Sequence, residues 1–176
     1  MTSPQTNSMA AVLSTLVRVI FWLAIILGAF FFVILSIGML GSLNGGVITL
    51  PGAEAVAEGV PMGRLVAALI GLLVFVTGIA YVCSQLRSIL VTLAEGDPFV
   101  PENAPRLTKI AIAIGLIEII RNCAVLILSA TMDLGEGYRG GLGVNLAAWG
   151  AVLVLLILAQ VFKEGSRLRE EQKMTI

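Results

Sequence analysis

Four long apolar runs, separated by polar or glycine-rich segments, dominate the chain. They occupy residues 19–40, 65–83, 110–130 and 144–162. An α-helix rises about 1.5 Å per residue, so about 20 residues cross the roughly 30 Å hydrocarbon core of a bilayer. The pattern predicts an all-α integral membrane protein, a four-helix bundle in which each run forms one span.

Composition strengthens this prediction. Of the 176 residues, 58% are hydrophobic and 12% are charged, whereas a soluble domain has about 45–50% apolar and about 25% charged residues. One soluble core of this size cannot hide the surplus, so we expect the lipid bilayer to surround the chain. The formal net charge is zero, which gives no basis for direct binding of nucleic acid.

The shorter segments carry local signals of their own. Residues 1–17 begin with a Ser/Thr/Asn/Gln-rich stretch and lack basic residues, which is typical of a mobile tail. Residues 47–50 are predicted to be extended, and residues 53–58 to form a helical turn closed by Gly59. Residues 163–176 are predicted to form a charged cytoplasmic tail.

The segment between the second and third runs, residues 95–107, contains three prolines, and we call it the elbow. The helical pattern continues past the second run, so that helix is predicted to leave the bilayer and end near Glu95. Gly96 suits the position after a helix end, while Glu102 and Asn103 suit the start of the next helix. The elbow residues that we single out are Gly96, Asp97, Pro98, Phe99, Glu102, Asn103 and Arg106.

Basic residues are distributed unequally between the two sides that four spans define. The side with both termini and the elbow carries eight, and the other side carries two. Because cytoplasmic loops are enriched in Lys and Arg, both termini and the elbow are predicted to be cytoplasmic. The eight are Arg18, Arg87, Arg106, Lys109, Lys163, Arg167, Arg169 and Lys173, and the two are Arg64 and Arg139.

The third run contains the only Asp, Glu, Lys or Arg residues within a predicted span. Glu118, Arg121 and Asn122 lie three and four residues apart, so they share one face of a helix. A charge at that depth costs about 2.5–3.5 kcal/mol and usually faces the protein interior or a wet cavity. Two interpretations stay open, a self-neutralising structural clamp and a site for an ion or another ligand.

Several kinds of enzyme chemistry find no support in the sequence. The chain has no histidine, which is the commonest metal ligand and general base. Cys83 and Cys123 form no Cys-x-x-Cys pair and are predicted to be buried, reduced thiols. The sequence also lacks Gly-x-Ser-x-Gly and Gly-x-x-x-x-Gly-Lys motifs. We therefore predict a protein that is not an enzyme and binds no cofactor or metal.

Two stretches, Leu93-x-Glu-Gly-Asp-Pro-Phe-Val-x-Glu-Asn-Ala-x-Arg-Leu107 and the tail from Leu158 to Ile176, resemble the bacterial membrane family of domain of unknown function 2975. Members typically end in a Leu-Thr-Val or Leu-Thr-Ile-like triplet after an acidic residue, where this chain has Met174-Thr-Ile after Lys173. The tail residues that we single out are Phe162, Gly165, Arg167, Leu168 and Glu171.

This resemblance implies a four-span protein of the bacterial cytoplasmic (inner) membrane. The family has no assigned activity, so the resemblance names no substrate. Its genes often lie next to a gene for a small helix-turn-helix regulator. By that analogy, such a DNA-binding protein is the implied cytoplasmic partner.

Three functions stay open at this point. The first is a regulatory membrane protein that senses or docks a partner through the elbow and the tail, with Phe99 as an exposed aromatic anchor. The second is a small transporter or channel subunit, acting as a homo-oligomer, that uses Glu118, Arg121 and Asn122. The third is an assembly factor in a larger membrane complex. Alternatively, the basic residues near the elbow and tail only set topology and attract anionic headgroups.

Overall fold

Four long helices and two short strands make up the computed structural model of the protein. It describes residues 4–43, 47–50, 53–56, 61–131 and 143–174, with side chains for 12–43, 61–131, 143–172 and 174. In chain order the elements are α1 (Pro4–Leu43), β1 (Val47–Leu50), β2 (Ala53–Val56), α2 (Met62–Ala94), α3 (Asn103–Thr131) and α4 (Leu146–Lys173). Four helices in the described ranges are long and apolar enough to cross a membrane. The predicted all-α, four-span fold class is confirmed.

Each helix buries only a small share of its apolar residues within the chain. Only 6% of the apolar stretch of α1 and 17% of that of α3 is buried within the chain. Phe30 and Ile157, for example, are exposed over 59% and 65% of their surface. Continuous apolar surface of this extent drives association in water, whereas hydrocarbon solvates it without penalty. The chain is therefore a multi-pass membrane protein.

α1 and α4 extend beyond their apolar runs into the predicted tails. α1 begins at Pro4, so residues 4–17, which we predicted as part of a mobile tail, are helical. Proline suits the first position of a helix, and no further Gly or Pro occurs before Gly28. At the other end, α4 runs to Lys173, so most of the charged tail is also helical.

The segment between α1 and α2 differs from its prediction in part. β1 is extended, as predicted, and pairs antiparallel with β2. The predicted helical turn over residues 53–58 is therefore wrong, because residues 53–56 form a strand and residues 57–58 lie outside the described ranges. Three of the four residues of β1 are β-branched and favour a strand. A connection of two residues is the commonest link between paired strands.

Contacts divide the chain into two compact units. Unit 1 comprises Met1–Ala24, Gly78–Leu116 and Asn145–Ile176, and unit 2 comprises Ile25–Thr77 and Ile117–Val144. In unit 1, Val17 of α1 packs with Cys83 and Leu90 of α2 in a small buried core. The start of α3 is also well buried, since Ala111 has no exposed surface. These contacts position the elbow, which belongs to unit 1.

Small residues differ in how closely they let helices approach. A β-carbon placed on Gly28 would lie 2.6 Å from Cγ2 of Val76, so α1 and α2 pack tightly at this point of unit 2. At Gly71, in contrast, no described atom lies within 4 Å of such a β-carbon. Gly71 is thus not a site of close approach.

The two cysteines are both free thiols. Cys83 is buried in the small core of unit 1, so the prediction of burial is confirmed for this residue. Cys123 is exposed on α3, so the prediction of burial is wrong there. In a membrane helix an apolar position can face lipid as readily as protein, which is why the sequence pattern does not separate the two cases.

Candidate functional site

The elbow begins with a helix stop built on Gly96. The N–H groups of Gly96 and Asp97 donate to the carbonyls of Leu93 and Thr92, at 3.1 and 3.0 Å. Gly96 has a φ of +81°, a left-handed conformation that glycine adopts at little cost. This pair of hydrogen bonds is the Schellman pattern. The predicted helix end near Glu95 is confirmed.

Asn103 joins the elbow to both neighbouring helices. The residue has 0% of its surface exposed. Its Nδ2 donates to Thr92 Oγ1 at 2.7 Å and to the Pro98 carbonyl at 2.9 Å, and its Oδ1 accepts from Arg106 Nη1 at 2.9 Å. A buried amide without hydrogen-bond partners is costly, and these three bonds satisfy the side chain of Asn103. The position therefore requires an asparagine. Its predicted place at the start of α3 is confirmed.

Arg106 extends this network along α2. Its Nη1 also donates to the carbonyl of Ser88, at 3.3 Å. Thr92, which accepts from Asn103, donates in turn to the carbonyl of Ile89 at 2.8 Å. The network therefore links the last two turns of α2 to the first turn of α3. It fixes the elbow by charge-assisted and neutral hydrogen bonds rather than by apolar packing alone.

Asp97 and Phe99 connect the elbow to α4, and we call their contacts with Phe162, Gly165 and Arg169 the clasp. Asp97 forms an ion pair with Arg169. The ring of Phe99 lies 5.4 Å from that of Phe162, measured between centroids, at an angle of 41°. A β-carbon on Gly165 would stand 2.8 Å from Cδ1 of Phe99, so only glycine lets the ring sit there undisturbed.

The remaining tail residues lie on the exposed surface of α4. Arg167 forms ion pairs with Glu164 at 2.9 Å and Glu171 at 3.4 Å, and its side chain is 63% exposed. Leu168 is half exposed, and in the elbow Glu102 is exposed as well. Phe99, predicted to be an exposed anchor, keeps 40% of its surface exposed while the rest contacts α4. Part of its ring is therefore used within the chain.

In unit 2, Glu118 and Arg121 form an ion pair within α3. Arg121 Nη2 donates to Glu118 Oε2 at 2.9 Å and to the carbonyl of Gly143 at 3.0 Å. Asn122 Nδ2 donates instead to the backbone carbonyl of Glu118, at 2.9 Å. The predicted trio thus shares a helix face, but only its two charged members interact through their side chains. The bond to Gly143 ties α3 to the segment that precedes α4.

A cavity of about 210 Å³ lies beside this ion pair, between α2 and α3. Apart from Glu118 and Arg121 its lining is apolar, with Gly71, Phe75 and Leu128 among the residues of the wall. A water molecule occupies about 30 Å³ in the liquid, so the cavity has room for several waters or one small ligand. The ion pair therefore both contacts the carbonyl of Gly143 and borders a cavity.

The described ranges contain no group of three His, Cys, Asp or Glu residues that could hold a metal ion. What the elbow and the ion pair offer instead is charge pairing and hydrogen bonding. Arg169, which pairs with Asp97, was predicted only as one of the basic residues on the side of the termini and not as a tail residue of the candidate site. It lies seven residues after Phe162 and four after Gly165, which places all three on one helix face. This spacing was the signal that could have identified it.

Comparisons with known proteins identify the family but no individual relative. No curated protein and no solved structure matches the chain. The model of one family matches residues 6–176, a range that contains the elbow, the clasp and the Glu118–Arg121 ion pair. Because this match covers almost the whole chain, the protein belongs to the family described as Protein of unknown function (DUF2975).

Proposed function

We propose that the protein is a regulatory docking protein of the bacterial cytoplasmic membrane, without enzymatic activity. Its elbow and the C-terminal half of α4 together bind a soluble protein. The observation that carries this proposal is the clasp, in which the Asp97–Arg169 pair joins residues 72 positions apart. The clasp presents two polar segments as one surface. A preorganised surface loses less conformational entropy on binding than two separate segments do.

The distribution of basic residues supports a cytoplasmic location for this surface. Eight of the eleven Lys and Arg residues lie on the side of the elbow and both termini, and two lie on the other side. Under the positive-inside rule this bias directs the elbow and α4 toward the cytoplasm. A soluble regulatory protein would meet the clasp there.

The chemistry around the clasp suits a protein partner. Leu168 and Met174 expose 50% and 82% of their surface, and the charged side chains of Arg167 and Glu171 lie near them in sequence on α4. Apolar anchors with a polar rim are the usual composition of a protein interface. The family resemblance adds the kind of partner, a small helix-turn-helix regulator, which docking would hold at the membrane.

Photo-crosslinking tests this proposal. A photoreactive amino acid in place of Leu168 is expected to capture one soluble protein, identified by mass spectrometry as a helix-turn-helix regulator. The same amino acid in place of Ile157, which is 65% exposed in the apolar part of α4, should capture only lipid. Opening the clasp with Arg169→Gln should lower the yield from position 168. Lipid adducts alone at both positions would contradict docking.

A second candidate function rests on the cavity beside Glu118 and Arg121. Here the protein is a subunit of a small transporter or channel, and the ion pair contacts the transported species. Intramembrane charges that face a cavity commonly mark such pathways. Ion flux into proteoliposomes is then expected to fall in Glu118→Gln and Arg121→Gln variants. Flux that does not respond to either substitution would remove these residues from any transport role.

A further inference from the structure

A larger cavity, of about 480 Å³, opens in unit 1 between α1 and α2. Its apolar wall consists of Val17, Phe21, Trp22 and Cys83, and its polar lining consists of Arg18, Ser84 and Arg87. The cavity shares no residue with the clasp or with the Glu118–Arg121 ion pair.

Two positive charges share this cavity without a negative one. Among the residues for which the structure describes side chains, neither Asp nor Glu lines it. Within the ranges that the structure describes, neither the Arg18 nor the Arg87 guanidinium has a carboxylate within ion-pairing distance. The Ser84 hydroxyl already donates to the carbonyl of Tyr81, at 2.7 Å. The two guanidinium groups are thus the strongest available donors, and their geometry matches phosphate oxygens.

Both arginines lie at the end of an apolar run. Arg18 directly precedes residues 19–40, and Arg87 follows residues 65–83 by four positions. Trp22 lies one helical turn, about 6 Å, further into the apolar run than Arg18. Tryptophan is typical of the headgroup level of a bilayer. A molecule in the cavity therefore meets positive charge at one end and aromatic, apolar side chains at the other.

We infer that this cavity binds a membrane phospholipid with a net negative headgroup. The phosphate oxygens accept hydrogen bonds from Arg18 and Arg87, and the first acyl carbons pack against Phe21 and Trp22. Basic pockets between membrane helices are known to bind anionic headgroups in this way. A zwitterionic lipid carries the same phosphate, but its ammonium group would add a third positive charge to a cavity that has no carboxylate. Phosphatidylglycerol is a phospholipid with a net negative headgroup.

Tryptophan fluorescence gives a direct readout, because the chain contains only two tryptophans, Trp22 and Trp149. In a Trp149→Phe variant, Trp22 is the sole tryptophan, and it lines the cavity. This variant is reconstituted in phosphatidylcholine vesicles that contain a minor fraction of a brominated lipid. The brominated lipid is either phosphatidylglycerol or phosphatidylcholine, and in both the bromine is on the upper acyl carbons. Bromine quenches tryptophan on contact. At an equal fraction of brominated lipid in the vesicles, brominated phosphatidylglycerol is expected to quench Trp22 more strongly than brominated phosphatidylcholine.

Charge variants then test the residues. Arg18→Gln and Arg87→Gln are each expected to lower the preference for the anionic lipid about fivefold, while Arg18→Lys and Arg87→Lys should keep most of it. Lys109→Gln is the matched control, since it removes an exposed basic residue that does not line the cavity. Helical circular dichroism of each variant verifies that the fold is intact.

The outcomes distinguish a lipid held in the cavity from general attraction of anionic headgroups to the basic side of the protein. Equal quenching by the two brominated lipids would overturn the inference, as would an equal loss of preference in Lys109→Gln. Trp149 in a Trp22→Phe variant should show no lipid preference, and a preference there would also count against a site at the cavity. Displacement of brominated phosphatidylglycerol by millimolar inorganic phosphate would assign the cavity to free phosphate and overturn the lipid as its occupant.

Discussion

The ring of Phe99 in the elbow lies against Gly165 in α4, where a β-carbon would stand 2.8 Å from Cδ1 and 2.9 Å from Cε1 of the ring. Carbon atoms in contact normally lie about 3.5–4.0 Å apart, so any other residue at position 165 would displace the ring or the helix. The elbow and α4 are therefore fitted to each other at this point. The same clasp includes the ion pair between Asp97 and Arg169.

The first prediction follows from this contact. Gly165→Ala is expected to lower the free energy of unfolding in detergent by about 1–3 kcal/mol, because overpacking outweighs the gain in helix propensity. Gly150→Ala is the matched control on α4, since no described atom lies within 4 Å of a β-carbon there. This control should stabilise the helix by up to about 1 kcal/mol. Equal stability changes in the two variants would mean that the Phe99 contact has no energetic weight.

The second prediction concerns the buried amide of Asn103. Asn103→Ala is expected to cost about 2–3 kcal/mol, because the Pro98 carbonyl and the Arg106 guanidinium each lose a hydrogen-bond partner in a buried setting. Asn122→Ala should cost less than about 1 kcal/mol, since that side chain bonds only to its own helix. Denaturant titration of both variants in the same detergent measures the difference. A loss at Asn103 no larger than at Asn122 would contradict the network.

The third prediction addresses the ion pair of the clasp. The side chains of Arg169 and Asp97 are 41% and 34% exposed, so a double-mutant cycle with Arg169→Gln and Asp97→Asn should give a coupling energy of only about 0.5–1 kcal/mol. Salt should weaken this coupling because the pair is partly exposed. The cycle for Arg167 and Glu164 on α4 is the comparison and should give about 0.3–0.5 kcal/mol. Zero coupling between Asp97 and Arg169 would remove the pair from the clasp.

The fourth prediction tests whether Glu118 and Arg121 act as a unit. Each single variant, Glu118→Gln or Arg121→Gln, leaves one charge without its partner within α3 and should cost about 2 kcal/mol or more. The double variant removes both charges and should be more stable than the sum of the two losses implies. Thermal unfolding in nanodiscs provides the comparison. Additive losses would show that the two groups are stabilised independently.

Parts of the candidate site follow from local sequence, and parts do not. The stop at Gly96 and the start of α3 at Asn103 depend on turn and capping preferences that act over a few residues, and both predictions are confirmed. The strand at residues 53–56 was missed because pairing with β1 outweighed the local helix preference of Ala and Glu. Arg169 was predicted only as one of the basic residues, without its ion pair, because its partner Asp97 is distant in the chain.

By itself the sequence determined four spans, the position of the elbow and the depth of the Glu118–Arg121 pair. These features depend on the length of apolar runs and on the conformational preferences of glycine, proline and asparagine, which are properties of short segments. Only the tertiary structure decided which distant residues meet. It brought Asp97 to Arg169, seated Phe99 on Gly165, and placed Arg18 and Arg87 in one cavity. Those contacts depend on how the helices pack, and in a membrane an apolar helix face alone does not specify its neighbour.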